Sequence, residues 1–166
     1  MKKLIITALV ITGIFTTTFA QVSSTATASA TIITPIAISK TVDMNFGNVA
    51  VSAVAGTVIL SPAGVRTKSG GVTLPVVAGT ISAASFTVTG LGSYTYTITL
   101  PSTPLTITSG SNTMSVNAFT STPSGTGTLS GGSQVLTVGA TLNVGVNQAA
   151  GVYTSASPFS VTVNYN

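Results

Sequence analysis

The side chains that most often carry catalysis are nearly missing from this chain. There is no His, no Cys and no Glu, and Asp43 is the only acid among 166 residues. Acid–base catalysis needs a positioned His or carboxylate, usually with a second group that tunes it. Zinc needs Cys, His or carboxylate ligands, and calcium needs several oxygens, mostly carboxylate. Neither set can be assembled here. No catalytic residue, cofactor-binding residue or metal ligand is therefore expected, and the chain is read as a non-enzyme.

What remains is the chemistry of hydroxyls, amides and a few cations. Lys40 and Asp43 are three residues apart and are expected to pair, or Asp43 to cap a turn. Even beside Asn45, one carboxylate makes a poor calcium site. Arg66 and Lys68 flank Thr67 ahead of Ser69-Gly70-Gly71. They read as a basic loop for acidic polysaccharide or lipid headgroups, or, more in keeping with Gly-rich turns, as a solvated hairpin turn. Two cations cannot supply the phosphate contacts of nucleic-acid binding. Tyr94 and Tyr96 could stack on a sugar, but their alternation with Thr fits a core face. The Thr-rich opposite faces read as solvated strand surface, open to O-glycosylation.

Those residues must be positioned by strands. Charged residues are 4% of the chain and hydrophobic ones 44%. A disordered segment is poor in apolar residues, so a packed core is expected. About a third of the residues after Ala20 are Ser or Thr. β-branched residues suit pleated, half-buried strands, and the fold class is all-β. Period-2 alternation supports this. In Tyr94–Leu100, residues Tyr94, Tyr96, Ile98 and Leu100 share a face. In Phe159–Tyr165, residues Phe159, Val161, Val163 and Tyr165 do so. Further strands are expected at 57–60, 71–77, 85–89, 113–119, 134–138 and 140–146. Turn signals separate them at Ser61-Pro62-Ala63-Gly64, Ser69-Gly70-Gly71, Gly90-Leu91-Gly92, Pro123-Ser124-Gly125 and Ser130-Gly131-Gly132. Short strands at this spacing suggest a sandwich.

The first residues read as an address. Lys2 and Lys3 precede an apolar stretch from Leu4 to Phe15, and Thr16–Ala20 supplies small residues. That order is a secretory signal peptide over residues 1–20; the alternative is an uncleaved membrane anchor, for which the apolar run is short. The exported chain from Gln21 carries Lys40, Asp43, Arg66 and Lys68, a net charge of +2. Export permits disulfides, but without Cys the domain must rely on a core or a partner.

Residues 21–32 are set apart as an extension or donor strand, with the sandwich at 33–166. From Val22 to Ile38 a single alternating phase persists, which extended would exceed about 50 Å, against roughly 17–20 Å for an ordinary strand. Either a break near Thr34-Pro35 makes two strands of the same sandwich, or the first part lies outside its own domain. In the second case Val22, Ala26, Ala28, Ala30 and Ile32 would fill a groove on a neighbour. Only Asn166 follows the alternating strand Phe159–Tyr165. A sandwich lacking its last strand would leave an open edge there, ready to pair with an extended segment.

Several stretches resemble a secreted bacterial family known as domain of unknown function 4402, and more broadly the spore coat protein U-like and archaic chaperone–usher pilins. They are Met44–Val49, Gly56–Leu60, Ser85–Gly90 with Tyr94–Pro101, Val138–Val144, Gly151-Val152-Tyr153 and Phe159–Tyr165. The resemblance implies an immunoglobulin-like sandwich completed by a neighbour's N-terminal strand, held before assembly by a periplasmic chaperone and handed to an usher. It implies self-assembly head to tail into a fimbria-like filament, passage through the periplasm to the cell surface or exterior, and service in adhesion or biofilm. Tyr165, one residue from the end, matches a pilin habit. The pattern differs in having no disulfide and in the distance of Gly151 from the end. The alternative is a self-contained secreted sandwich that binds a glycan or host surface through its loops.

Overall fold

A computed structural model of the chain describes residues 20–166. The expected signal peptide lies outside the described residues, Ala20 excepted. Contacts divide the chain after Ile32. Residues 20–32 form no strand and are exposed throughout, with Val22 at 93% and Ile32 at 92%. The alternation from Val22 to Ile36 therefore does not become a strand in this structure.

Residues 33–166 make an antiparallel β-sandwich, as the alternation predicts. Its strands are β1 (Ala37–Val42), β2 (Asn45–Phe46), β3 (Gly56–Leu60), β4 (Arg66–Gly70), β5 (Ile81–Ser82), β6 (Ala84–Thr89), β7 (Thr95–Thr99), β8 (Leu105–Ser109), β9 (Asn112–Thr122), β10 (Thr126–Thr128), β11 (Ser133–Val144), β12 (Thr154–Ser155) and β13 (Thr162–Tyr165). Eight of them form one sheet, ordered β1-β6-β11-β9-β8-β12, with β3 joining β11 and β4 joining β3. A second sheet runs β10-β7-β13, and β2 pairs with β5.

β11 is the spine. The two strands expected at 134–138 and 140–146 are in fact one, Ser133–Val144. Its first half pairs with β6 and its second half with β3, while β9 runs along its other side. The change of partner falls at Gly139. A Cβ there would overlap the carbonyl oxygen of Leu60, so only glycine lets the end of β3 meet β11. Across the sheet, β9 answers with a bulge at Ala118, which has φ 48°. The extra residue reverses the phase of β9. Met114 and Val116 face inward before it, and Phe119 after it.

This line separates two core clusters on the same face of β11. In the first, Ala84, Val88, Leu136 and Val138 meet Tyr96, Ile98 and Val163 of the second sheet, with Leu129. In the second, Val58, Val116, Ala140, Leu142 and Val144 pack with Val72. The first is roofed by a sheet. The second is roofed only partly, by Met44, Phe46, Val49 and Leu74.

Three expectations need correction. Residues 71–77 form no strand, only an isolated bridge of Thr73 to Ala50, because Gly71 and Pro75 interrupt the alternation. Residues 66–70 are strand β4 rather than a turn. Tyr94 does not share the burial of Tyr96: it is 45% exposed and lies edge-on to Tyr165, while Tyr96 is fully buried.

Candidate functional site

A cleft of about 880 Å³ lies over the second core cluster. Its floor is apolar, formed by Leu105, Ile107, Met114, Val116, Leu142 and Val144. One wall is the segment from Val42 to Val51, and the other runs from Gln148 to Phe159.

The first wall is held by backbone carbonyls rather than by packing alone. Arg66 Nη1 donates to the carbonyls of Phe46 (2.6 Å) and Asn48 (2.9 Å). Gly47 takes φ 66°, and a Cβ on it would run into the Ala78 carbonyl oxygen. Its N–H donates to Asn45 Oδ1 at 2.8 Å. Asn48 donates through its backbone N–H to Ala78 and through Nδ2 to the Val77 carbonyl. So Asn45-Phe46-Gly47-Asn48 is a pinned turn. Arg66, read from sequence as one of two turn cations, is the clasp of that wall. Only its partners, twenty and eighteen residues upstream, reveal this.

The second wall is pinned by Tyr153. Its hydroxyl donates to the Ala149 carbonyl (2.7 Å) and accepts from Gln148 Nε2 (2.8 Å). Gln148 also donates to the Thr113 carbonyl. Beyond β12 this wall loses its bonds. Among the described residues, no backbone hydrogen bond involves residues 156–160. Phe159 nevertheless sits half-buried at the cleft, edge-on to Phe86 (6.4 Å between centroids) and tilted against Phe119 (5.0 Å).

The four C-terminal residues singled out from sequence alternate in burial as expected, though the regular strand begins only at Thr162. Phe159 lines the cleft. Val161 and Tyr165 pack at the margin of the first core, and Val163 fills it. The Tyr165 hydroxyl donates to the Thr34 carbonyl (3.0 Å) and accepts from Leu91 N–H (2.7 Å). The extension residues Val22, Ala26, Ala28, Ala30 and Ile32 are all exposed.

The cleft holds two charges, Lys40 and Asp43. They form an ion pair at 2.6 Å, as their spacing suggests. Both are largely exposed, so the pair adds little stability, but it leaves the site neutral. The site offers an apolar floor and, along 156–160, backbone groups without backbone partners.

Across residues 36–165 the chain matches the model of a family described as domain of unknown function (DUF4402). It belongs to that family. No curated protein and no solved structure matches it significantly. Within the family match lie both pinned walls, at Met44–Val49 and Gly151–Tyr153.

Proposed function

We propose that this chain is an exported structural subunit that assembles head to tail, residues 21–32 of one copy lying as a strand in the cleft of the next. One observation carries the reading: β13 is the unguarded edge of the sandwich. Proteins blunt strand edges with lysines, inward charges, bulges or short strands. β1 carries Lys40 and a bulge before Val42. β4 carries Arg66 and Lys68. β10 and β12 are three and two residues long. β13, four residues long, carries neither a charge nor a bulge. It pairs only with β7, and the chain leading into it, from 156 to 160, has an unbonded backbone beside an apolar cleft.

The occupant follows from matching chemistry. Residues 21–32 carry no charge and alternate small apolar with hydroxyl side chains, which suits a neutral cleft. Main-chain pairing would supply affinity and alternate side chains the register. Polarity follows as well. Thr34 is tied to Tyr165, near the level of Ser133 at one end of β11, whereas the cleft reaches Val144 at the other. A contact that leaves one end and enters the other is heterologous, and unless it closes into a ring it makes a filament. Such a filament at the cell surface would serve adhesion or biofilm. A periplasmic chaperone would shield the same edge before an usher passes the subunit on.

Oligomeric state tests this. The chain from Gln21 is expected to form a ladder of head-to-tail oligomers by light scattering after gel filtration. The chain from Ile33 is expected to stay monomeric in that assay and to bind a peptide of residues 21–32. If both are folded monomers indifferent to the peptide, the sandwich is complete in itself and its partners bind at its loops.

A further inference from the structure

The outer face of the eight-stranded sheet is a second surface, unrelated to the cleft. Cross-strand partners share a face, so the pairing registers identify it. One row crosses five strands as Ser69, Thr57, Asn143, Ser115 and Thr106. The next reads Thr67, Ile59, Thr141 and Asn117. Further along, Ser85, Thr137 and Thr122 align, as do Ser39, Thr87 and Val135. Nearly every position is a small hydroxyl or amide. The exceptions among these rows are Ile59 and Val135, exposed by 47% and 60%, and Val42, opposite Ser85 at the β1 edge and exposed by 42%.

No charge falls on this face. Arg66 lies opposite buried Leu60, Lys68 opposite buried Val58, and Lys40 opposite Phe86. All three start from the inner face, and Asp43 is bound to Lys40. Those four are every charged residue among residues 20–166. A solvent-facing sheet ordinarily intersperses both signs to keep copies apart. Here the charge is confined to the edges.

We infer that this face packs against the same face of a second copy, joining subunits side by side. An isologous contact sets a patch against itself, so any charge near its axis would meet its own sign. This face and the smaller outer face of β10-β7-β13 are both free of that penalty, and this is the broader of the two. Its side chains are short and mostly β-branched, an even surface that can pack at the usual sheet-to-sheet distance. Four to five strands about 4.8 Å apart, and about 40 Å along β11, offer roughly 800 Å² per copy. That is the area a standard stable interface needs from each partner. The contact does not use residues 21–32 and goes beyond strand donation: one joins copies end to end, the other laterally.

The test uses the chain from Gln21 in three forms: unaltered, with Ile59→Lys and Val135→Lys, and with Ile59→Glu and Val135→Glu. Sedimentation and electron microscopy would read lateral association. The unaltered chain should associate laterally and hold its association as salt rises, since a neutral contact is little screened. Each charged form alone should lose it by at least ~100-fold, because like charges juxtaposed at an interface cost several kcal/mol. Mixing the Lys and Glu forms should restore it. If the first pair unfolds, Thr106→Lys with Thr122→Lys repeats the test at two exposed positions of the same face. Unchanged association of the charged forms, or mixtures that stay apart, would overturn the inference. So would retention of the unaltered chain on cellulose or chitin particles without lateral association, which would give the face to a polysaccharide. Failure of strand donation reads differently: monomers would still pair side by side.

Discussion

Arg66 illustrates how a single residue can be misplaced by composition and rescued by geometry. Its guanidinium closes a turn through two carbonyl oxygens, those of Phe46 and Asn48. Hydrogen bonds to charged groups contribute about 1.5–3 kcal/mol. Arg66→Ala is therefore expected to lower unfolding free energy by about 2 kcal/mol in urea titrations. If strand donation is right, it should also weaken peptide binding at the cleft, since the wall it holds would loosen. Both bonds leave the one nitrogen Nη1, so Lys, with its donors on a single nitrogen but a shorter stem, should recover part of the loss. Tyr96 gives a pH signature. Its hydroxyl donates to Gln134 Oε1 at 2.8 Å, and burial raises its pKa above the ordinary 10.0. The unfolded chain thus loses this proton first. Stability from Tyr96 is full below pH about 10 and falls as pH rises toward and through the higher folded value. Chemical denaturation at pH 9, 10 and 11 should show a decline that Tyr96→Phe makes shallower.

Elements tell a different story from residues, because their limits depend on partners. Gly139 is the clearest point of dependence. Gly139→Ala should cost about 2–4 kcal/mol, since the added methyl meets backbone that cannot yield, and thermal unfolding would show it directly. The all-β class, the inner face from Tyr96 to Leu100 and the alternation of Phe159–Tyr165 are legible in the sequence. The Lys40–Asp43 pair is one of the two readings that their spacing offers, and the structure takes it with Lys40 on β1 and Asp43 just past its end. What escaped was anything set by tertiary register. The single strand 133–144 read as two because Gly139 looks like punctuation, when it is a close approach to Leu60. The phase of β9 reverses at Ala118, which no periodicity reveals. β4 reads from sequence as a turn because its two cations lead into Ser69-Gly70-Gly71. The cleft has no local signal in the sequence. Its floor comes from β8, β9 and β11, far away in sequence, and its walls from turns whose hydrogen bonds have no local signal.

At the scale of the whole molecule, the distribution of charge matters more than its amount. The chain lacks His and Cys, and no remaining side-chain type ordinarily titrates between pH about 5 and 8. Unfolding free energy should therefore vary by less than about 0.5 kcal/mol across that window, as measured by denaturant titration. A larger change would expose a titrating group that sequence composition does not provide. Assembly, too, should be indifferent to chelators and reductants, since neither has a target here.

The spine strand has a consequence for timing. β11 is the partner of β3, β6 and β9, yet it occupies residues 133–144. A chain emerging amino-terminus first from the ribosome presents β3 and β6 long before the strand that joins them. Until Val144 is free, the large sheet has no centre and the two clusters have no common floor. Pairings this distant in sequence close slowly. The polypeptide should therefore travel as an open coil and collapse late, within its final stretch. Appending a folded, easily monitored domain after Asn166 would let that moment be timed. Arrested chains ending before residue 133 should be protease-sensitive throughout, and those extending well past 144 should become resistant together.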